Sequence, residues 1–489
     1  MVVEFSPEEA TLIGIEVHKA GNWQMAEAIY SRVLKVAPDN IDAQHFLGVV
    51  AIQIEKWDAA VEWIGKALSA RPDDPAIISH YAAALNGLER HDEAEFYARR
   101  AVAMRPEMGT AFINLGNALR GQARLAEARD AYQMGLRYEP GHADCRANYA
   151  LTLRALGDRE GWYREIAQAA RENPGNADTR LLSGEAYLER GDFLPGWDIY
   201  ECRYDLPRTR QLKRQFVQPQ WNGEDITGRT ILVHDEQGFG DTFQFMRFLP
   251  LVKSRGARVV FQVHSDLRGL AMRAAGWDTL ITREEAPPPF DLHCPLLSLP
   301  RALKTTIDTI PADVPYLTPR DDRLKHWRKQ VSSLAKGQRT VGLIWAGRPD
   351  FPGERWRSPG LEALLPLFDV PGIRFVVLQM GPARKEMERT ALPPSVVDVA
   401  EGIKDFEDTA AIMSSLDLVI SSCTGPAHLA GALGRPLWMM LSANTDWRWL
   451  VDRPDSPWYP TARLFRQPSL GDWAPLVSEL RQALIDWNK

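Results

Sequence analysis

The chain has 489 residues, 45% apolar and 25% charged, with a formal net charge of -6 and a pI near 6.0, which bounds a multidomain globular protein able to bury more than one core. The acidic balance argues against a nucleic-acid binder. Four widely separated cysteines (Cys145, Cys202, Cys294, Cys423) without CxxC or zinc spacing point to reduced thiols and no metal site, and neither a signal-like start nor a bilayer-length apolar run is present, so a cytoplasmic location is expected.

In chain order, the first third is periodic. Pro38, Pro72, Pro106, Pro140 and Pro174 are each 34 residues apart, and Ala26, Ala60, Ala94 and Ala128 keep the same step. Small residues recur early in each unit (Gly14, Gly48, Ala82, Gly116, Ala150, Gly184) and a large apolar or aromatic residue follows (Tyr30, Ile64, Tyr132). Pairs of helices that cross closely need such small residues, and Pro stops the second helix before the next begins. The pattern resembles the tetratricopeptide repeat. The fifth unit has Trp162 where the small residue belongs, and a sixth, 177–210, keeps Gly184, Tyr187, Gly191 and Tyr200 without the Pro. An α-solenoid over 1–205 is therefore expected, with a groove for a protein or peptide on its concave face. Asn114, Asn117 and Asn148 are candidates to clamp an extended peptide there; the alternative is that they are ordinary helix-surface residues.

Periodicity breaks at a basic connector, 206–228, containing Pro207, Arg208, Arg210, Lys213, Arg214 and Pro219. An apolar strand (230–234), the loop DEQGFGD, an amphipathic helix (242–253) and a strand (258–263) then form a βαβ opening, so a parallel sheet is expected. After a helix at 321–334 a second α/β unit starts near 339. Its strands are expected at 340–345, 372–380, 396–399 and 416–420, and its helices at 361–368, 382–390 and 406–415.

The last of these strands runs into SSCTGPAHLAGALGRP, 421–436. A strand that turns straight into a small-residue helix aims unpaired N–H groups one way, which makes a seat for an anion. Thr424 is placed to cap the helix, Gly425 to admit close backbone approach and Pro426 to occupy an early helical position, with His428 one turn in. The alternative is an ordinary β-to-α turn with a packing histidine. In a two-halved architecture Gly238, Gly240 and Asp241 would face Thr424, Gly425 and His428. The GxGD run lacks the third glycine of a dinucleotide fingerprint, so NAD is rejected, while a glycine turn ending in a carboxylate suits a general base.

The ordered motifs GFGDTFQFMRFLP, VGLIWAG, FVVLQMGP, DFEDTAAIMSSLDLVIS, TGPAHLAGALGRPLW and DWRWL resemble those of two-domain GT-B glycosyltransferases, particularly enzymes like the bacterial heptosyltransferases. Fusion to tetratricopeptide repeats is similar in architecture to protein O-GlcNAc transferases. The resemblance implies a fold class of α + α/β, with two Rossmann-like halves at 229–338 (acceptor side) and 339–445 (nucleotide-sugar side) and a returning segment at 446–489. It implies an inverting, metal-independent transferase without a cofactor, using a nucleotide-sugar as substrate. Asp241 matches the general base, Gly240 its turn, and Thr424, Gly425 and His428 the diphosphate motif. Arg348, Arg355 and Arg357 are candidate cations for the leaving diphosphate, and Lys404 lies where relatives approach the base. Relatives carry an acidic residue where this chain has Cys423, which puts the donor sugar in question and keeps open an inactive adaptor as the rival reading. A glycan- or lipid-directed transferase is the third.

Overall fold

The computed structural model describes residues 5–206, 209–350 and 353–489, apart from the side chain of Arg355. The chain forms two compact units, Met1–Pro174 and Gly175–Lys489.

The first unit is all helical: α1 (Pro7–Lys19), α2 (Trp23–Val36), α3 (Ile41–Gln53), α4 (Trp57–Ala70), α5 (Pro75–Gly87), α6 (His91–Met104), α7 (Gly109–Gly121), α8 (Leu125–Tyr138), α9 (Ala143–Ala155) and α10 (Arg159–Glu172). Each helix packs on the next, and the odd-numbered helices also touch one another in series. The small residues sit where the periodicity requires them. A Cβ on Gly14 would lie 2.5 Å from the Tyr30 ring, one on Gly48 2.4 Å from Ile64, and one on Gly116 2.6 Å from Tyr132. Local signals fix the helix starts: Ser6 and Glu9 form a capping box, and Asn22, Asn40, Asp74 and Asp158 accept N–H bonds at their helix N-termini. Trp162, the departure from the repeat pattern, is wholly buried.

The sixth helix pair, α11 (Ala177–Arg190) and α12 (Phe193–Tyr200), belongs to the second unit and not to the array. It has the close crossing of a repeat, since a Cβ on Gly196 would fall 2.6 Å from Leu188. Its aromatic side, however, is part of the other core: Trp197 donates its indole N–H to the Thr305 carbonyl at 3.0 Å and meets Trp447 edge-on at 5.3 Å. Pro207 and Arg208 of the connector lie outside the described residues.

Two sheets follow. β1 (Thr230–His234), β2 (Arg258–Val263), β3 (Thr279–Thr282) and β4 (Leu292–Pro295) form a four-stranded sheet in the order β3-β2-β1-β4. β5 (Arg339–Ile344), β6 (Ile373–Val377), β7 (Val396–Asp398), β8 (Leu418–Ser422), β9 (Leu437–Leu441) and β10 (Ala462–Arg466) form a six-stranded one, β10-β9-β8-β5-β6-β7. Every pairing is parallel, as the βαβ reading requires. The fold class is thus α + α/β. Chain order reverses between β1 and β4 and between β5 and β8, and such switch points, at the carboxyl ends of strands, are where open α/β sheets bind ligands.

The helix expected at 242–253 is broken into α13 (Phe239–Phe245), a 3-10 turn (Met246–Phe248) and a short helix (Leu249–Lys253) with Pro250 in its first turn. Pro366 likewise reduces the helix expected at 361–368 to a short helix, Gly360–Ala363, and a 3-10 turn, Leu365–Leu367, and the segment expected as a helix at 382–390 is a 3-10 helix, Pro382–Glu388. Among the described residues no helix is long and apolar enough to cross a membrane.

Candidate functional site

β1 and β8 each end in a turn that opens a helix, and the two turns meet. At the first, Asp235 and Glu236 are buried. Glu236 accepts Arg203 Nε at 2.9 Å and Nη2 at 3.0 Å, the Leu297 N–H at 3.1 Å and the Tyr204 hydroxyl. Asp235 accepts the His264 N–H at 2.8 Å and Arg283 Nε at 2.7 Å. These charges fix the loop that presents Asp241, whose Oδ2 accepts the Gly238 N–H at 3.0 Å and whose Oδ1 accepts Arg448 Nη2 at 2.6 Å.

Arg448 is the hub. It donates from Nε to Gln244 Oε1 at 2.9 Å and from Nη1 to both Asp446 oxygens at 3.1 Å, and its guanidinium lies 4.3 Å from the Trp447 ring. Two carboxylates therefore share one cation. Burial raises the Asp241 carboxyl above its ordinary range against the pull of Arg448. At Asp446 burial is outweighed by the charge and hydrogen bonds of Arg448, which hold it low. Arg448 stays charged, since the two carboxylates outweigh its own desolvation. Of the pair, Asp241 is the more basic and the better proton acceptor.

The second turn is neutral. Ser421 Oγ donates to the Ser422 carbonyl at 2.8 Å and lies 3.2 Å from Thr424 Oγ1. Thr424 occupies the N-cap position of the helix Gly425–Ala432, but its hydroxyl makes no capping bond, a departure from the expectation that follows from its engagement with Ser421. The Ala427 and His428 N–H groups both return to the Thr424 carbonyl, at 3.1 and 3.4 Å. A Cβ on Gly240 would lie 3.0 Å from Gly425 Cα and 3.1 Å from His428 Cδ2, so the turns face each other, as expected, with backbone against backbone. Gly240 covers the Gly425 backbone in this arrangement.

His428 is a packing residue. It is 6% exposed, stacks on Trp449 at 5.4 Å and shares a hydrogen bond with the Tyr459 hydroxyl at 3.0 Å. Burial, with the charge of Arg448, pushes its pKa down to about 3, so the ring is neutral and carries no charge to offer a ligand. Cys423 is also buried, its sulfur accepting the Trp449 indole N–H at 3.1 Å. Burial pushes this thiol up to about 11, which leaves it protonated at neutral pH.

Arg357 acts on this neighbourhood: its positive charge bears on both the Cys423 thiol and the His428 ring. It is paired with Glu354, Nε to Oε2 at 3.0 Å, and that carboxylate also accepts the Gly347 N–H at 2.6 Å. Arg348 does not join the site; its side chain is 79% exposed and lies 3.4 Å from Asp350. The side chain of Arg355 lies outside the described residues. Lys404 is exposed, and its N–H supports a helix cap by donating to Asp408 at 3.0 Å.

In the repeats the three asparagines are bonded to the array itself. Asn114 Nδ2 donates to the Ser79 carbonyl at 2.9 Å and hydroxyl at 3.0 Å. Asn117 Oδ1 accepts the Tyr132 hydroxyl at 2.7 Å and Asn148 Nδ2 at 3.2 Å. With His45 and His80 joined at 2.8 Å, they bridge neighbouring first helices, because residues one period apart stand side by side. A peptide would have to compete with these bonds.

Sequence reasoning missed Arg448, Asp446, Gln244 and the Arg203–Glu236 pair. The signal was present in DWRWL, where an acid and a base sit two apart on either side of Trp447. The tryptophans do pack: Trp447, Trp449 and Trp458 are all buried.

The chain is 27% identical over 387 residues to Protein FlbA of Caulobacter vibrioides, a match covering 73% of this chain and 63% of that protein. It thus spans less than two thirds of that relative's length. Similar solved structures include a thermophilic tetratricopeptide protein of Thermus thermophilus (16% identity, 37% of this chain and 99% of that one, TM-score 0.34). Pseudomonas aeruginosa pilF matches at 20% identity over 42% of this chain and 91% of its own, with a TM-score of 0.34. Family models described as tetratricopeptide repeat match residues 18–84 and 82–143, and this part of the chain consists of tetratricopeptide repeats.

Proposed function

We propose that the protein is a metal-independent inverting glycosyltransferase of the GT-B type, moving a sugar from a nucleotide-sugar to a hydroxyl, on a protein acceptor bound by the repeats. The observation that carries this reading is Asp241: a carboxylate made more basic by burial, held on a charge-anchored glycine turn, opposite the helix start at Gly425. The motif resemblance supports it. In the reaction Asp241 takes the acceptor hydroxyl proton, and the acceptor oxygen bonds to the anomeric carbon from the face opposite the leaving group. The bond from that carbon to the diphosphate oxygen breaks, and its electron pair leaves with the nucleoside diphosphate. The Gly425 N–H, the Thr424 hydroxyl and the charge of Arg357 stabilise that anion. Gly240 and Gly425 part to admit the donor. Cys423 supplies no charge to the sugar, so donor selection falls to other groups.

The test is a thermal-shift screen against nucleoside diphosphates and nucleotide-sugars, repeated on Thr424→Pro, followed by turnover of any donor found. A donor at a hundred times its dissociation constant adds about 2.7 kcal/mol. One nucleotide family should shift the wild type and not the variant, and Asp241→Asn should keep the shift while losing about 10²–10⁴-fold in transfer. The rival, an adaptor with a vestigial sugar-nucleotide domain, is favoured by Cys423 and by the covered Gly425 backbone. It predicts binding without turnover, or no shift by any nucleotide.

A further inference from the structure

The basic connector that breaks the repeat period has a structural role of its own. Past Arg210 it lies against the four-stranded sheet as an extended strap whose alternate residues turn inward. Lys213, Gln215 and Val217 are exposed, while Arg214 and Phe216 are half-buried. Phe216 pins the strap, with its ring 5.6 Å from His234, 4.8 Å from His293 and edge-on to Phe290 at 5.4 Å. Arg214, two residues earlier on the same side, is thereby delivered to the carboxyl ends of β1 and β2, where its Nη1 donates to Gln262 Oε1.

Arg214 has no counter-ion. Among the described residues it makes no ion pair, and its Nε and Nη2 hydrogens find no acceptor. The charges that bear on it are Asp235 and Arg283, and Asp235 is already engaged: one oxygen accepts Arg283 Nε at 2.7 Å and the other the His264 N–H at 2.8 Å. Two guanidinium groups therefore share one carboxylate, the reverse of the arrangement at Arg448, and one positive charge is left over. Arg203 and Arg448 are raised by their carboxylates, whereas Arg214 is lowered, with burial the largest influence on it. Burial also lowers the neighbouring His234 ring to about 3, so it is neutral and adds no charge. A half-buried cation without a partner favours an anion beside it. The unused edge formed by Nε and Nη2 is the side of a guanidinium that grips both oxygens of one carboxylate. A single surplus charge matches a monoanion, where a phosphate dianion would overshoot.

We propose that Arg214 binds the carboxylate of an acidic ligand at the carboxyl edge of the four-stranded sheet. The site uses neither Asp241 nor the turn at Gly425, and it stands whether or not sugar transfer occurs there. The experiment is saturation-transfer NMR on the full chain with two monoanionic probes, methyl glucuronoside and N-acetylglutamate α-methylamide, each beside its uncharged side-chain amide, and with methyl phosphate. At least one acid should receive saturation and its amide should not; which acid does so distinguishes a sugar acid from an acidic peptide side chain as the source. Affinity should fall about tenfold in Arg214→Gln. Arg214→Lys, which keeps the charge and loses the fork, should weaken binding in the same direction. Arg357→Gln should leave it unaltered, and both Arg214 variants should melt with the wild type, since no ion pair is removed. Binding of neither acid, equal binding of the amides, tighter binding of methyl phosphate than of either acid, or affinity unchanged in Arg214→Gln would overturn the proposal. Loss in Arg357→Gln would assign the acid to the other half and overturn it equally.

Discussion

The two strand-to-helix turns that meet at Gly240 and Gly425 have the same backbone plan and opposite chemistry. The turn after β1 is held by buried ions: Glu236 by Arg203, Asp235 by Arg283, and Asp241 by Arg448. The turn after β8 is held by neutral hydroxyls and a thiol, with Ser421, Ser422, Cys423 and Thr424 all buried. The pairing fixes the Asp241 carboxylate in position, while burial, against the pull of Arg448, raises it. The charges that bear on the second turn, Asp446, Arg448 and Arg357, come from outside it, and its own side chains carry none. The contrast teaches where each half puts its charge.

The largest effect should come from removing the ion that anchors the first turn. Glu236→Ala leaves Arg203, 1% exposed, without its main carboxylate, and breaking a buried pair in this way costs about 3–5 kcal/mol. Equilibrium denaturation reads it; a loss under about 1 kcal/mol, the scale of an exposed pair, would break the contrast between the turns. Gly240→Ala comes next. Its Cβ meets Gly425 backbone at 3.0 Å, and overpacking of that kind costs about 1–3 kcal/mol. Gly238→Ala is the control, since its Cβ meets only Asp241 Oδ2 at 3.4 Å and its φ of -79° suits alanine.

Acid should act on both turns through buried histidines. His234, at the end of β1, and His428 are each lowered from 6.5 to about 3, chiefly by burial and also by the charges of Arg214 and Arg448 respectively. Between those values the unfolded chain binds protons that the folded chain refuses, so their contribution is complete above 6.5 and is lost as the pH falls toward 3. Each adds a slope of at most about 1.4 kcal/mol per pH unit. Asp241, raised by burial, works in the opposite sense. Denaturation curves from about pH 7 to about pH 4 should show stability falling, and His428→Gln should flatten the slope by up to one proton. The smallest effect is at sulfur. All four cysteines are buried, so a thiol reagent at neutral pH should label none of them quickly in the native protein. Fast labelling of Cys423 would show that its turn opens in solution.

What was legible in the sequence follows from how local the physics is. The repeats were readable because a small residue recurs every 34 residues, often opposite a large one, as Gly14 meets Tyr30 and Gly116 meets Tyr132. β1, β2, β5 and β8 were readable as apolar runs ending in glycine or hydroxyl turns. The four-residue strands Thr279–Thr282 and Leu292–Pro295 were not, since they are too short to display a period. Arg448 was hidden because its partners Gln244 and Asp241 stand 204 and 207 residues away. The sixth helix pair satisfied the repeat pattern locally, and its long-range contacts with Thr305, Trp447 and Trp458 place it in another core. Asn114 and Asn148 looked available because a sequence shows their spacing but not that one period brings a polar neighbour alongside.

That alongside placement sets the step by which the array can change length. The bonds from Asn114 to Ser79 and from His45 to His80 each span 35 residues, and that from Asn148 to Asn117 spans 31. Inserting or deleting a whole repeat keeps first helices beside first helices, whereas half a repeat sets first helices beside second helices and breaks the register. Copy number is therefore the natural variable of this region, and its grain is one repeat.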